Sequence, residues 1–267
     1  GTLWAGTENG GLNRLNADGT FTRYLHDPED PSSISSSHQV YDVVEDSQGD
    51  LWVGTRNGLN RFNRRLGTFE RFIHDETDPG SVSGNWIHCL FIDDSDRLWV
   101  GTQGHGLSRF ERKTGQFIHY NHDPDKPDSL SHSTIFSMFE DSRHDLWFGT
   151  KGGLNKFDSK QQNFTHYREG DGLSNDSVFA IMEDKQGDLW ITTNRGINRF
   201  DPAAQTFEIY LVNDGLQSNQ FEQGAAFQAA DGQIFAGGVN GFNAFYPEDI
   251  NDDQHSPAVV HTDFLML

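Results

Sequence analysis

The sequence predicts an all-β protein, a β-propeller of about six four-stranded blades. A tryptophan-centred motif recurs along the chain, as "LWVGTRNGLNRFN" at 51–63, "LWVGTQGHGLSRFE" at 98–111, "LWFGTKGGLNKFD" at 146–158 and "LWITTNRGINRFD" at 189–201. The tryptophans and one equivalent phenylalanine lie 43 to 48 residues apart, which is the repeat length of propeller blades. Apolar residues alternate or run continuously and do not recur every three or four positions, so the repeats are strands and not helices.

The unit from 38 to 74 shows how one blade is built. Its apolar segments are "HQVYDVVED", "LWVGT", "LNRFN" and "FERFIH", and its links are "SQGD", "RNG" and "RRLGT". Gly49, Gly58 and Gly67 fall in these links, where tight turns need a positive φ. Because a sheet of four short strands cannot bury both faces alone, the blades must stack around an axis.

The same pattern places every blade along the chain. The predicted blades lie near 1–25, 38–74, 85–120, 133–167, 176–210 and 219–246, within a propeller region of 1–256. The first begins at its second strand, whereas the sixth has Phe235 in place of tryptophan and ends after its third strand. The segment "PAVVHTDFLML" at 257–267 is either the strand that closes the ring or the start of another domain.

Charge and composition exclude several classes of protein. The formal net charge of −20 disfavours binding to nucleic acid and to anionic lipid, both of which need clusters of Lys and Arg. The chain lacks a run of about 18 apolar residues, so we expect no membrane contact within it. The single cysteine, Cys89, allows no internal disulfide.

The turns that follow each "GT" are the first candidate ligand-binding positions. Such turns lie on the propeller face that also carries the loops between blades, and this face is the usual ligand site. The candidate residues in these turns are Arg56, His105, Lys151 and Arg195. They form either a local positive ring that attracts a sugar acid or another carboxylate, or exposed turns that tolerate basic residues.

The start of the innermost strand supplies the other candidates. Trp86 aligns with small or polar residues of other blades, so it either stacks on a sugar ring at the channel mouth or fills a gap between blades. Glu222, close to Asn219, is a candidate ligand-binding carboxylate. His88, aligned with Asp42 and Phe136, is expected to be a packed histidine.

The sequence predicts no catalytic residue, no cofactor and no metal site. The acidic pairs at 45–46, 140–141 and 183–184 recur before every turn, so turn formation explains them better than acid–base chemistry. Three histidines share equivalent positions in the loops between blades, where radial separation keeps them from one metal ion: His26, His74 and His122.

Two units carry a family resemblance. "VYDVVEDSQGDLWVGTRNGLNRFN" and "VFAIMEDKQGDLWITTNRGINRFD", with loops such as "DPDKPDSLS" at 123–131, resemble the two-component regulator propeller repeat. The resemblance implies a periplasmic or extracellular sensor region, joined through an immunoglobulin-like domain and a membrane helix to a histidine kinase or diguanylate cyclase. Residues 257–267 would then begin that domain, and the six blades could be a truncated piece of a larger array.

These observations predict a sensing function. The chain is expected to be the extracytoplasmic ligand-sensing propeller of a bacterial signal-transduction receptor that binds a small molecule or glycan fragment on the loop face. Its partners would be that ligand, the immunoglobulin-like domain and the kinase or cyclase module. Two alternatives remain, a protein-interaction platform and a propeller lyase or glycosidase. The first interpretation predicts no enzymatic activity for the chain itself.

Overall fold

A computed structural model describes residues 2–250, and it confirms a six-bladed all-β propeller. The described residues contain 22 strands in six antiparallel sheets, four of which have four strands and two of which have three. In each four-stranded blade the strands are named A to D from the axis outwards. The segment at 257–267 lies outside the described residues.

The first three blades take up residues 4–120. Blade 1 contains β1 (Trp4–Gly6), β2 (Leu12–Leu15) and β3 (Phe21–Tyr24), which correspond to strands B, C and D. Blade 2 contains β4 (Val40–Glu45), β5 (Leu51–Thr55), β6 (Gly58–Asn63) and β7 (Thr68–Phe72). Blade 3 contains β8 (Ile87–Ile92), β9 (Leu98–Thr102), β10 (Leu107–Glu111) and β11 (Gln116–Tyr120).

The last three blades take up residues 135–245. Blade 4 contains β12 (Ile135–Glu140), β13 (Leu146–Thr150), β14 (Gly153–Asp158) and β15 (Asn163–Tyr167). Blade 5 contains β16 (Val178–Glu183), β17 (Leu189–Thr193), β18 (Gly196–Asp201) and β19 (Thr206–Tyr210). Blade 6 contains strands A to C only, as β20 (Phe221–Gln228), β21 (Ile234–Gly238) and β22 (Gly241–Phe245).

The loops between blades have two forms. The loops before blades 2, 3 and 4 each contain a histidine whose Nδ1–H donates to a backbone carbonyl eight residues later, from His26 to Ile34, His74 to Val82 and His122 to Leu130, at 2.7 to 2.9 Å. The two later loops contain 3₁₀ turns at Glu169–Asp171 and Val212–Asp214, and a third turn, Pro247–Asp249, follows β22. None of the helices within 2–250 is long and apolar enough to cross a membrane.

The recurrent aspartate before the A–B turns of blades 2 to 5 is a structural residue. Its Oδ2 accepts a hydrogen bond from the strand B indole in the pairs Trp52–Asp46, Trp99–Asp93, Trp147–Asp141 and Trp190–Asp184, at 2.7 to 2.9 Å. Its Oδ1 accepts backbone N–H groups of the turn, as Asp141 does from Arg143 and Asp145. The acidic pairs therefore serve the turns.

The same tryptophans bury the interfaces between blades. Trp52 lies 5.1 Å from Phe110 of the next blade, and Trp190 lies 5.1 Å from Phe245, measured between ring centroids. Trp52, Trp99 and Trp147 are 0% exposed. Blade 6 differs because Phe235 contacts Phe227 and Phe242 of its own sheet, and both of these are 65% exposed. The face of blade 6 that carries these rings is not covered by another blade within residues 2–250.

Candidate functional site

The channel is lined by side chains that β-bulges turn towards the axis. The register of strands A and B shifts by one residue in blades 2 to 5, and the extra residues are Tyr41, His88, Phe136 and Phe179. We call these four residues the channel ring. A bulge re-aims one side chain without ending the strand, so equivalent bulges place four rings around one axis.

The channel ring is continuous from blade 2 to blade 5. Ring centroids are separated by 5.5 Å between Tyr41 and His88, 6.0 Å between His88 and Phe136, and 5.2 Å between Phe136 and Phe179. The ring lines a cavity of about 460 Å³ together with residues of β20. The four aromatic rings share the wall with aliphatic and polar side chains, and such mixed walls are found in sites that bind planar or sugar-like ligands.

Polar side chains from several blades also line this channel. Gln223 of blade 6 reaches across to blade 3, where its Nε2 lies 3.3 Å from His88 Nδ1. Burial lowers the pKa of His88, so the imidazole is neutral near pH 7. Burial raises the pKa of Asp42, although its carboxylate accepts the backbone N–H groups of Leu90 and Val43 at 2.8 Å.

At the mouth of the channel, Arg56 and Trp86 meet across the boundary between blades 2 and 3. The Arg56 guanidinium carbon lies 4.5 Å from the centroid of the Trp86 ring, a cation–π geometry. Gln39 Oε1 accepts hydrogen bonds from Arg56 Nη1 at 3.2 Å and from the Tyr41 hydroxyl at 2.7 Å. We call Gln39, Tyr41, Arg56 and Trp86 the mouth cluster.

The mouth cluster departs from the equivalent residues of other blades in two ways. Gln39 has a φ of +52°, a left-handed conformation that non-glycine residues seldom adopt, and such strain is concentrated at functional sites. The Trp86 indole N–H is buried and has no hydrogen-bond partner among the described residues. A buried donor without a hydrogen-bond partner is energetically costly.

A second cavity adjoins the mouth cluster on the loop face. It has a volume of about 460 Å³ and lies between blades 1 and 2, where Gln39 and Arg56 line it. Glu8 and His38 line it as well, and His38 Nδ1 lies 2.8 Å from Oδ1 of Asn9. Arg56 therefore stands between this cavity and the channel mouth, with polar donors and acceptors around it.

The structure brings only two of the six sequence-predicted site residues together, Arg56 and Trp86. His105 lies beside His74, at 6.2 Å between ring centroids, in a separate cavity at the loop before blade 3. Lys151 and Arg195 are exposed, and neither forms an ion pair with the described residues. These two residues occupy equivalent turns on the same face of blades 4 and 5, and the positive ring stays a prediction.

One correction concerns the channel. The register aligns His88 with Tyr41, not with Asp42, because each is the bulged residue of its strand. In blade 6 the register shifts between Phe221 and Ala226; Glu222 is exposed, its neighbour Gln223 lines the channel cavity, and ligand binding by Glu222 stays a prediction. Sequence reasoning missed Gln39, Tyr41 and Gln223, although the recurring aromatic at the position of Tyr41 could have indicated the channel ring.

Cys89 follows His88 but is not a reactive group in the native protein. Burial raises the pKa of the Cys89 thiol well above its usual range, and the nearby Asp42 carboxylate raises it further. The thiolate is the nucleophilic form, so native Cys89 should resist a disulfide reagent at neutral pH. We expect one equivalent of thiol to react only after denaturant is added, in a colorimetric thiol assay. Rapid stoichiometric labelling of the folded protein would contradict this burial.

Four segments of the chain match the model of one repeat family, described as the two-component regulator propeller. The matched residues are 34–57, 81–104, 129–152 and 172–195. Each match ends in the turn between strands B and C, so it includes the loop, strand A and strand B of one blade. A search of curated proteins found no match to this chain.

Solved structures with the same fold include several bacterial propellers. An extracellular domain assigned to a hybrid two-component system of B. thetaiotaomicron is 24% identical, with a TM-score of 0.73 over 91% of this chain and 31% of that one. A second, assigned to a one-component system of B. thetaiotaomicron, is 23% identical, with a TM-score of 0.67 over 93% of this chain and 41% of that one.

An enzyme shares the fold as well. A catalytically inactive virginiamycin B lyase from Staphylococcus aureus is 17% identical, with a TM-score of 0.67 over 91% of this chain and 76% of that one. At these identities the likeness concerns the fold, and this chain spans less than half the length of the two extracellular domains. The repeats are more specific: four segments of this six-bladed propeller, one in each of blades 2 to 5, match the two-component regulator propeller repeat.

Proposed function

We propose that this chain is the ligand-sensing propeller of an extracytoplasmic bacterial receptor, and that it binds a small molecule or glycan fragment at the mouth cluster. The observation that carries the proposal is the stacking of Arg56 on Trp86, at 4.5 Å, beside a buried indole N–H without a partner. A preformed cation beside an aromatic ring is suited to a ligand that has both a ring and an anionic group.

The polar surroundings favour a carbohydrate acid over a simple hydrocarbon. Gln39 holds the Arg56 guanidinium from one side, which leaves its other N–H groups available for a carboxylate. Glu8 and His38 border the adjoining cavity and can bond to hydroxyl groups. We therefore propose an oligosaccharide fragment that carries a carboxylate, with a sugar ring stacked on an aromatic face.

The proposed location and partners follow from the repeat family and from the domains with similar folds. The two B. thetaiotaomicron structures are described as extracellular domains of two-component and one-component systems. By analogy, we propose a periplasmic or extracellular position for this chain and a downstream immunoglobulin-like domain leading to a kinase or cyclase module. Ligand binding would signal only if two states of the receptor bind the ligand with different affinities.

We also propose that this chain does not itself catalyse a reaction. The recurrent aspartates are engaged by indole and turn N–H groups, and Asp42 accepts two backbone N–H groups. A glycosidase needs two available carboxyl groups at a set separation around one bond. Among the described residues that line the channel cavity, Asp42 is the one carboxylate, so we propose no such pair there.

Arg56→Gln should weaken ligand binding about tenfold or more, because one charge-assisted hydrogen bond contributes about 1.5–3 kcal/mol. The measurement is a thermal-shift screen against uronate oligosaccharides, neutral oligosaccharides and dicarboxylates, followed by calorimetric titration of each hit. A ligand that binds only the folded state raises the melting temperature according to its saturation. Trp86→Phe keeps a ring at the site, removes the unpartnered N–H and should also weaken binding.

Arg195→Gln is the matched control because Arg195 occupies the equivalent turn of blade 5 and forms no ion pair with the described residues. Its ligand affinity should equal that of the wild type. Equal losses in Arg56→Gln and Arg195→Gln would point to general electrostatics and reject the mouth cluster as the site. The absence of a thermal shift with every compound, in folded monomeric protein, would reject the small-molecule proposal.

A further inference from the structure

Blades 3 and 4 depart from the repeat on the face opposite the mouth cluster, in their A–B turns. His144 occupies the position of Gly49 and Gly187 in the other turns, and it keeps the left-handed backbone of a glycine, with a φ of +63°. Asp94 occupies a position that is serine in blades 2 and 4. The two departures meet across the boundary between the blades, where His144 Nδ1 lies 2.9 Å from Asp94 Oδ2.

Glu140 completes the cluster and is already oriented. Its Oε2 accepts the backbone N–H of Asp94 at 2.7 Å, and its side chain is only 10% exposed. The same link recurs between the next two blades, where Glu183 accepts the backbone N–H of Ser142 at 2.8 Å. This recurring contact fixes one carboxylate oxygen of Glu140 and leaves Oε1 3.5 Å from His144 Nδ1.

From this geometry we propose that Asp94, Glu140 and His144 bind a first-row divalent transition metal, for which Zn²⁺ is the test ion. One ligand atom from each residue lies within 4.8 Å of the others. Ligand atoms about 2.0–2.2 Å from a metal are about 3–3.5 Å apart in a tetrahedral site, close to the separations of 2.9 and 3.5 Å seen here.

The chemistry of the donors selects the class of ion. His144 Nδ1 faces both carboxylates, and a metal bound there would take the place of any proton on that nitrogen. An imidazole nitrogen suits Zn²⁺ or Ni²⁺, whereas Ca²⁺ and Mg²⁺ prefer oxygen ligands alone. The net charge of −20 raises the local concentration of cations at the surface. Because the ligands come from two blades, the ion would cross-link blades 3 and 4.

The repeat itself supplies variants that should remove the site without disturbing the turn. His144→Gly and Asp94→Ser install residues that other blades carry at the same positions, and glycine suits the positive φ. We expect calorimetry to show one Zn²⁺ site in the wild type, with affinity about tenfold or more weaker in either variant. Zn²⁺ should raise the melting temperature of the wild type and raise those of the variants less.

His105→Ala is the control, since His105 lies near His74 and could hold zinc at an unrelated place. This variant should bind Zn²⁺ like the wild type. Loss of binding in His105→Ala with retention in His144→Gly would overturn the proposal, as would a wild-type protein that shows no saturable Zn²⁺ binding. Circular dichroism of each variant without metal would establish that the fold is intact, so a loss of affinity reports on the ligands.

Discussion

Asp141→Ala should lower the free energy of unfolding by about 3 kcal/mol, because each buried donor left without an acceptor costs about 1–3 kcal/mol. The Asp141 carboxylate is buried and accepts three N–H groups at 2.9 Å, from the Trp147 indole, Arg143 and Asp145. Alanine would leave the indole N–H without an acceptor inside the interface between blades. The loss should appear in denaturant titrations followed by circular dichroism, as a lower midpoint at an unchanged slope.

The matched control for this change is Asp125→Ala. Asp125 is exposed in the loop before blade 4, and its replacement should change stability by less than about 0.5 kcal/mol. A double-mutant cycle with Trp147→Phe isolates the indole contact, since phenylalanine keeps an aromatic ring but lacks the N–H. If the free energy of unfolding of Asp141→Ala differs from that of the wild type by less than about 0.5 kcal/mol, then the aspartate is not the residue that holds the turn to the tryptophan.

The scaffold was predictable because one set of contacts recurs in blades 2 to 5. The aspartate and the tryptophan are six residues apart in each of blades 2 to 5, as Asp46 and Trp52 are in blade 2. The repeated spacing therefore corresponds to the same hydrogen bond from indole to carboxylate in four blades. The resemblance of the units to a known propeller repeat led to the same fold. Both kinds of evidence concern what the blades share, and shared contacts are what sequence periodicity reveals.

The candidate site was less predictable because it depends on where the blades differ. A bulge shifts by one residue the alternation of side chains between the two faces of a strand. Alignment of the repeats therefore matched His88 with Asp42, whereas the equivalent residue of blade 2 is Tyr41. In blade 6 the register is irregular between Phe221 and Ala226. As a result Gln223, and not Glu222, lines the channel cavity, which the repeat alignment did not show. The contact of Arg56 with Trp86 joins residues from two blades, and only side-chain geometry shows that these residues stack.

Another recurrent contact was also missed, the one between strand C and the loop before the blade. Asn155 is fully buried, its Oδ1 accepts the backbone N–H of Ser131, and its Nδ2 donates to the Ser131 hydroxyl, both at 2.8 Å. Asn60 and Asn198 make equivalent contacts in blades 2 and 5. Blade 3 is an exception, because it has Ser108 at this position.

Asn198→Ser should lower the free energy of unfolding by about 2–3 kcal/mol. Asn155→Ser should lower it by about 1 kcal/mol less, because a histidine on strand D of blade 4 can form one hydrogen bond to the new serine, and one hydrogen bond contributes about 1 kcal/mol. In blade 3 the shorter serine reaches the Ser83 hydroxyl at 2.8 Å and also pairs with Nδ1 of His119 on strand D, at 3.1 Å. Blade 4 has His166 at the place of His119, whereas blade 5 has Ile209 there.

Histidine on strand D should therefore compensate for serine on strand C. Ile209 is 44% exposed, so Ile209→His can be introduced without opening a buried cavity, and it should recover about 1 kcal/mol in the Asn198→Ser background. The same change in the wild type, where Asn198 already satisfies the loop, should be close to neutral. Chemical denaturation of the four proteins forms a complete double-mutant cycle. Zero coupling between positions 198 and 209, together with equal costs for Asn155→Ser and Asn198→Ser, would mean that His119 packs beside Ser108 without supporting it.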